Sequence, residues 1–102
     1  IKDLELDEEI SEIILMRKLD NLMTRIGKTF AWWRSADSTV KDVVVEMCYQ
    51  LGVSGFSKFK KTIDHLENKR YGKASAEMLD SRWAKQTPNR ALELSNLIKE
   101  LE

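Results

Sequence analysis

The sequence predicts an all-α fold, a compact bundle of about five helices, and three observations lead to this prediction. Apolar residues recur at intervals of three and four along most of the chain, which is the spacing of one helix face. Polar residues suited to helix caps precede several of these apolar stripes. The sequence contains no paired strand pattern, no repeat and no glycine-rich linker. Amphipathic helices with short connections are typical of a helical bundle.

The first predicted helix runs from Asp7 to Ile26. Asp7 is placed to cap it, and the acidic residues that follow suit the positive end of the helix dipole. Its apolar stripe steps by four, three and four residues: Leu15, Leu19, Leu22 and Ile26. Gly27 then loosens the pattern before Trp32 and Trp33. We expect one tryptophan to fill the core and the other to lie half exposed, the alternative being a platform for sugar stacking.

The second predicted helix starts at Ser38, as its cap, and runs to Leu51. Its inward face would carry Val40, Val43, Val44, Met47, Cys48 and Leu51. A run of valines also suits a strand, but the apolar spacing and the flanking cap favour a helix. Gly52 and Gly55 are predicted to bracket a tight turn.

Three further helices complete the predicted bundle. The third points Phe56, Phe59, Ile63 and Leu66 inward and its lysines outward. The fourth, Tyr71–Leu79, is short. The last spans Pro88 to Leu101, with Thr87 as its cap and Pro88 at the first helical position. We therefore predict one helical domain over residues 1–102.

Composition excludes several classes of protein. The 102 residues are 42% hydrophobic and 33% charged with zero formal net charge, so no global field attracts nucleic acid or an anionic membrane. The longest apolar run, Ile13–Met16, is far too short to span a bilayer. The first dozen residues are nevertheless acidic, and the stretch after Phe56 is basic. That basic stretch is either a solvated helix face or a surface for an anionic polymer.

The sequence offers no cofactor or metal site. His65 is the only histidine and Cys48 the only cysteine, so a zinc site and a nucleophile–histidine pair are not expected. We expect Cys48 to be an inert core residue and His65 to be a solvated surface group. A lone cysteine fits synthesis in a reducing cytosol.

One alternative is a DNA-binding helix-turn-helix. Residues 48–54 read as its corner, and lysines follow where phosphate contacts would be needed. Zero net charge, and the lack of arginine or asparagine near the start of the recognition helix, count against this hypothesis.

Two blocks of sequence resemble the phage-type lysozymes of glycoside hydrolase family 24. One is SRWAKQTPNRA at residues 81–91, preceded by EMLD, and the other is EMCYQLGVSGF at residues 46–56, followed by FKKT at 59–62. The resemblance extends over roughly Glu8 to Leu101 and is strongest from Val43 to Ala91. It implies a muramidase of two lobes, which hydrolyses the β-1,4 bond between N-acetylmuramic acid and N-acetylglucosamine in bacterial cell walls.

Within that resemblance, residues 7–26 would be the long helix that joins the lobes, and residues 38–101 would be the helical lobe. The family's catalytic pattern is Glu, eight residues, Asp or Cys, five residues, Thr, and it lies upstream of the joining helix. Only six residues precede Asp7, and no glutamate here starts that spacing. Because general acid catalysis is worth about 10²–10⁴ in rate, we expect this chain to be inactive by itself unless it is complemented.

The resemblance also implies roles for four residues. Tyr49 and Gln50 would end the second helix at the cleft floor, and Arg82 would lie near the glycan or peptide. Arg90 would stand where an arginine pairs with the catalytic glutamate, a partner absent here. The implied partners are bacterial peptidoglycan or a complementary amino-terminal lobe, with a protein partner or homodimer formed through surface that the missing lobe exposes. Synthesis in the cytoplasm and action at the cell wall would follow. The alternative function is a non-catalytic module that binds peptidoglycan or protein.

Overall fold

A computed structural model describes residues 17–102, and over this range the fold is the all-α bundle that the sequence predicts, with no strand. The first helix, α1, is described from residue 17 to residue 29, and a 3-10 turn follows at Ala31–Ser35. The remaining helices are α2 (Ser38–Ser57), α3 (Lys60–Glu67), α4 (Tyr71–Leu79), α5 (Arg82–Gln86) and α6 (Pro88–Lys99). Residues 7–16 of the predicted first helix lie outside the described part. None of the described helices is long and apolar enough to cross a membrane.

The core lies around α6, which contacts α2, α4 and α5. Its predicted inward residues Ala91, Leu94 and Ile98 are buried, whereas Leu101 lies beyond the helix end and is half-buried. The predicted inward face of α2 is also buried, except that Leu51 is half-buried. The three-and-four spacing therefore identified the faces that pack together.

Helix α1 is longer than predicted. It continues past Ile26, which is fully buried, to residue 29. Gly27 does not end the helix. It is buried because the Arg34 side chain lies over it, with Nε only 2.6 Å from where a Cβ would be. The glycine thus serves a close approach between α1 and the 3-10 turn.

Helix α2 differs from its prediction at both ends. Asp37, one residue before Ser38, is the cap, and its Oδ1 accepts a hydrogen bond of 2.9 Å from the Thr39 N–H. At the other end, Gly52 breaks the helix with φ of 79° and ψ of 161°, but helical backbone resumes as far as Ser57. The predicted turn between Gly52 and Gly55 is therefore wrong, since Gly55 is helical. A recognition helix starting after Gly52 would be only five residues long.

Replacing Gly52 by alanine is expected to lower the free energy of unfolding by about 1–3 kcal/mol, because its backbone conformation is essentially confined to glycine. No atom lies within 4 Å of the added Cβ, so the loss would come from the backbone alone. Urea denaturation measures it. Ser54→Ala, at an exposed helical position two residues on, is the control and should change stability by less than about 0.5 kcal/mol. Equal stabilities for the two variants would contradict this account.

Four aromatic side chains pack in sequence within the bundle, and we call them the aromatic row. The rings of Phe30, Phe56, Phe59 and Trp83 follow one another with centroids 5.5, 6.2 and 6.3 Å apart. Phe56 lies in the last turn of α2 and Phe59 just before α3, so they are not on one helix as predicted.

The two neighbouring tryptophans behave as predicted. Trp33 is buried and its indole N–H donates to the Lys41 carbonyl, while Trp32 is half-buried. Trp32 packs with its ring centroid 6.0 Å from that of Phe30, so it extends the aromatic row.

Two polar predictions are corrected in the second half of the chain. Thr87 precedes α6, and Pro88 takes the first helical position, but the Thr87 hydroxyl donates to the Trp83 carbonyl instead of capping α6. His65 is half-buried, not solvated, because its Nδ1 accepts a hydrogen bond of 2.9 Å from Arg70 Nε. Both side chains thus close connections between short helices.

Helix α5 was not predicted. Its five residues fall inside the SRWAKQ sequence, and the Ser81 hydroxyl caps it by accepting from the Ala84 N–H at 3.2 Å. This helix buries Trp83 and places Arg82 outside.

Candidate functional site

The first candidate site is an open groove of about 640 Å³ between α1, α2 and the start of α6, which we call the α1–α2 groove. Its walls are Leu19, Met23, Asp42, Val45, Glu46, Tyr49, Gln50 and Arg90. The groove residues of α2 recur at intervals of four, as Asp42, Glu46 and Gln50 and as Val45 and Tyr49, so they share one side of the helix. Val44, Met47 and Cys48 lie on the opposite side and are buried in the core. The structure thus brings together three of the four site residues that the sequence analysis proposed.

Tyr49 is an exposed aromatic residue of this groove. Its side chain is 58% exposed, which is unusual for an aromatic residue in a small domain whose other rings are mostly buried or half-buried. Arg90, in the first turn of α6, reaches the same groove with its side chain 45% exposed. The groove therefore offers an aromatic surface beside a cation.

Arg90 has two carboxylate neighbours within the chain. Its Nη1 lies 3.8 Å from Glu46 Oε1 and 3.6 Å from Glu93 Oε2, and all three side chains are about half exposed or more. Such long, solvated ion pairs contribute about 0–1 kcal/mol each, so they orient the guanidinium only loosely. The contact between Arg90 and Glu46 was not predicted from the sequence. The contact between Arg90 and Glu93 could be expected, because residues three apart on a helix are neighbours. No feature of the sequence indicates that Arg90 of α6 would lie beside Glu46 of α2.

Gln50 links this groove to a second one. Its Oε1 accepts a hydrogen bond of 2.9 Å from the indole N–H of Trp83, a residue only 4% exposed. Tryptophan buried in a core normally needs such a partner for its N–H. The bond joins the end of α2 to α5 across 33 residues of sequence, and it holds Gln50 at the groove wall.

The second groove, of about 560 Å³, lies beside α3, α4 and α5, and we call it the α3–α5 groove. It is lined by Leu51, Gly55, Lys58, Phe59, Lys60, Lys61, Thr62, Glu77, Asp80, Ser81, Arg82, Trp83 and Gln86. Arg82, the fourth proposed site residue, lies here and not with Tyr49 and Arg90. Trp83 is at its floor, so the Gln50–Trp83 bond connects the two grooves.

The Gln50–Trp83 bond should be measurable as a coupling. Trp83→Phe and Gln50→Ala are each expected to destabilise the fold, and their double-mutant cycle should give an interaction free energy of about 0.5–1.5 kcal/mol. Thermal or urea denaturation of the four proteins measures it. Trp83→Phe combined with Lys85→Ala, an exposed position on α5, is the matched control and should be additive. Additivity of both pairs would show that the bond contributes nothing.

The described residues contain no cluster of three or more histidine, cysteine or acidic side chains suited to a metal ion. Cys48 is 1% exposed, and this burial raises the pKa of its thiol to about 12, only partly offset by the charge of Arg25. Because the Cys48 thiol stays protonated and buried, it is a poor nucleophile, as expected for a core residue.

Comparison with known proteins finds two similar sequences among the T4-type lysozymes. Probable T4-type lysozyme 2 of Dictyostelium discoideum is 37% identical to this chain over 59 residues, which are 58% of this chain and 35% of the relative. Probable T4-type lysozyme 1 of the same organism is 31% identical over 67 residues, which are 66% of this chain and 39% of the relative. No family model and no solved structure matches the chain. The matched part thus spans less than half the length of these relatives, and over that part the chain is related to the T4-type lysozymes, as its two sequence blocks predicted.

Proposed function

We propose that this chain provides the helical wall of a cleft that binds peptidoglycan in a muramidase of the phage-type family, which cleaves the β-1,4 bond between N-acetylmuramic acid and N-acetylglucosamine. The observation that carries the proposal is the α1–α2 groove, where Tyr49, Gln50 and Arg90 line one open space. An exposed aromatic ring suits the apolar face of a sugar. The amide and guanidinium groups suit its hydroxyl and acetamido oxygens.

In this proposal the general acid comes from a second lobe, and the chain alone does not hydrolyse the glycan. A glycosidase needs a carboxylic acid beside the scissile oxygen and a second carboxylate across the sugar. Arg90 would orient the incoming catalytic carboxylate. Its present ion pairs with Glu46 and Glu93 are long and half exposed, so exchanging them for a new partner costs little.

A complementation assay tests the proposal. Cell-wall lysis is measured with this chain, with a separately made lobe that carries the catalytic carboxylates, and with both. We expect lysis only with both, and about a 10²-fold loss for Arg90→Gln, since removal of one catalytic hydrogen-bond donor costs about that much. Lys99→Gln, an exposed change at the other end of α6, is the matched control. Lysis by the chain alone, or neither association nor lysis with the lobe, would refute the proposal.

A second candidate function is a module that binds the wall or a protein without cutting it. The α3–α5 groove favours it, since its cations and aromatic floor do not require a catalytic lobe. Pull-down with purified sacculi at low salt distinguishes it, because binding would persist without any complementing lobe. The exposed side chains of Leu79, Leu92 and Leu97 also allow a protein partner or a homodimer, which light scattering would detect.

A further inference from the structure

The α3–α5 groove carries more positive than negative charge. Four cations line it, Lys58, Lys60, Lys61 and Arg82, against two carboxylates, Glu77 and Asp80. Within residues 17–102, none of these four cations forms an ion pair with a carboxylate. Their charges are therefore available to a ligand.

The start of α3 adds donors to the same groove. Phe59 stands at the cap position and offers no side-chain acceptor, and the first turn contains no acidic residue. Lys60 and Lys61 occupy that turn instead, against the preference of the helix dipole for negative charge at this end. The free backbone N–H groups of this turn and the two ammonium groups attract the same kind of ligand, an oxyanion.

Thr62 gives an independent indication of a ligand. This residue lines the groove although it is only 2% exposed. Its hydroxyl makes no hydrogen bond to any of residues 17–102, yet no side-chain oxygen or nitrogen fully sealed from solvent lacks a partner in this range. The hydroxyl is therefore reached by solvent, and it belongs to a residue of the groove lining. Water in the open groove can satisfy this hydroxyl, and a polar ligand can take the place of that water.

The floor of the groove is aromatic. Phe59 and Trp83 meet edge to face with centroids 6.3 Å apart, and the Trp83 N–H is already engaged by Gln50. What remains accessible of this floor is apolar, and the carboxylates of Glu77 and Asp80 can accept hydrogen bonds from hydroxyl groups. An anionic group at one side and a hydroxylated carbon skeleton at the other match these surfaces.

We propose that the α3–α5 groove binds a polyol or glycan polymer that carries phosphodiester groups, with a phosphate held by Lys60, Lys61, the start of α3 and the Thr62 hydroxyl. Phosphate is favoured over carboxylate because lysines act as point charges that suit phosphate, and a repeating phosphodiester supplies one charge for each of several separated cations. The choice of a bacterial wall as the source of this polymer rests on the proposed function.

The test compares two preparations of the same sacculi, one intact and one from which the phosphodiester polymer has been extracted with acid. The full chain should bind the intact sacculi better, and rising salt should remove the difference. The double variant Lys60→Gln, Lys61→Gln should weaken binding to intact sacculi about tenfold at low salt, the combined effect of two exposed ion pairs. The double variant Lys73→Gln, Lys99→Gln removes two exposed lysines outside the groove and should bind as the unchanged chain does.

Thr62→Val keeps the shape of the side chain and removes its hydroxyl. It should weaken binding while leaving the melting temperature unchanged or higher, which separates a ligand contact from a structural role. Equal binding to both sacculi, or an equal effect of the two lysine double variants, would overturn the inference. The proposed function fails in a different measurement, the complementation of lysis, which does not depend on the phosphodiester polymer.

Discussion

Replacement of Phe56 by alanine is expected to lower the free energy of unfolding by about 3–5 kcal/mol. The side chain is completely buried, and its ring packs at 86° against Phe30 and nearly parallel to Phe59, with centroids 5.5 and 6.2 Å away. Its removal opens a cavity in the middle of the aromatic row. Since small domains have total stabilities of about 5–15 kcal/mol, this loss is a large fraction of the whole.

Urea denaturation followed by circular dichroism measures the effect. Phe56→Leu fills most of the space and should cost clearly less than alanine. Leu92→Ala, at a position 51% exposed, removes a comparable apolar side chain from the surface and should cost less than about 0.5 kcal/mol. If Phe56→Ala and Leu92→Ala were similar, the aromatic row would not be the centre of the core.

The sequence predicts best those helices in which apolar residues recur every three or four positions. Along α2, apolar residues recur from Val40 to Cys48 at the spacing that favours a helix with one buried face over a strand, and all the predicted residues in that span are buried. The same holds for Ala91, Leu94 and Ile98 on α6, where Pro88 also marks the start. In both helices, local spacing and tertiary burial agree.

Residue preferences for caps and turns did not predict the correct position where two nearby residues were both suitable. Asp37 and Ser38 are both good caps, and Gly52 and Gly55 can both leave helical conformation. Which of each pair does so depends on how α2 packs against the rest of the bundle. Helix α5 was missed because five residues are too few for a period, and because its formation depends on burying Trp83.

The candidate site was predictable only in part, for the same reason. Tyr49 and Gln50 are adjacent at the end of a predicted helix, so their presence at one surface follows from the sequence. That Arg90 reaches them and Arg82 does not depends on how α5 and α6 meet at Thr87. Glu46 became a neighbour of Arg90 only through the packing of α2 on α6. Contacts between distant helices carry no signature in a single sequence.

Alkaline pH is expected to destabilise the fold through Cys48. Burial raises the pKa of this thiol from 9.0 to about 12, so the folded chain keeps a proton that the unfolded chain loses near pH 9. The unfolded state therefore binds fewer protons between these two pH values, and stability falls there as pH rises. The slope is about 1.4 kcal/mol per pH unit, and the total loss approaches 4 kcal/mol by pH 12, whereas below pH 9 the contribution is fully present.

Other groups also titrate at alkaline pH, so the test depends on a difference between two proteins. The free energy of unfolding is measured from pH 8 to pH 11 for the unchanged chain and for Cys48→Val, which removes the thiol but keeps an apolar side chain of similar size. Lysine and tyrosine titrations are common to both and cancel. We expect the unchanged chain to lose about 2–3 kcal/mol more than the variant over this range. Parallel curves would mean that the thiolate is accommodated in the fold, which is incompatible with a thiol that is 1% exposed and surrounded by the apolar face of α2.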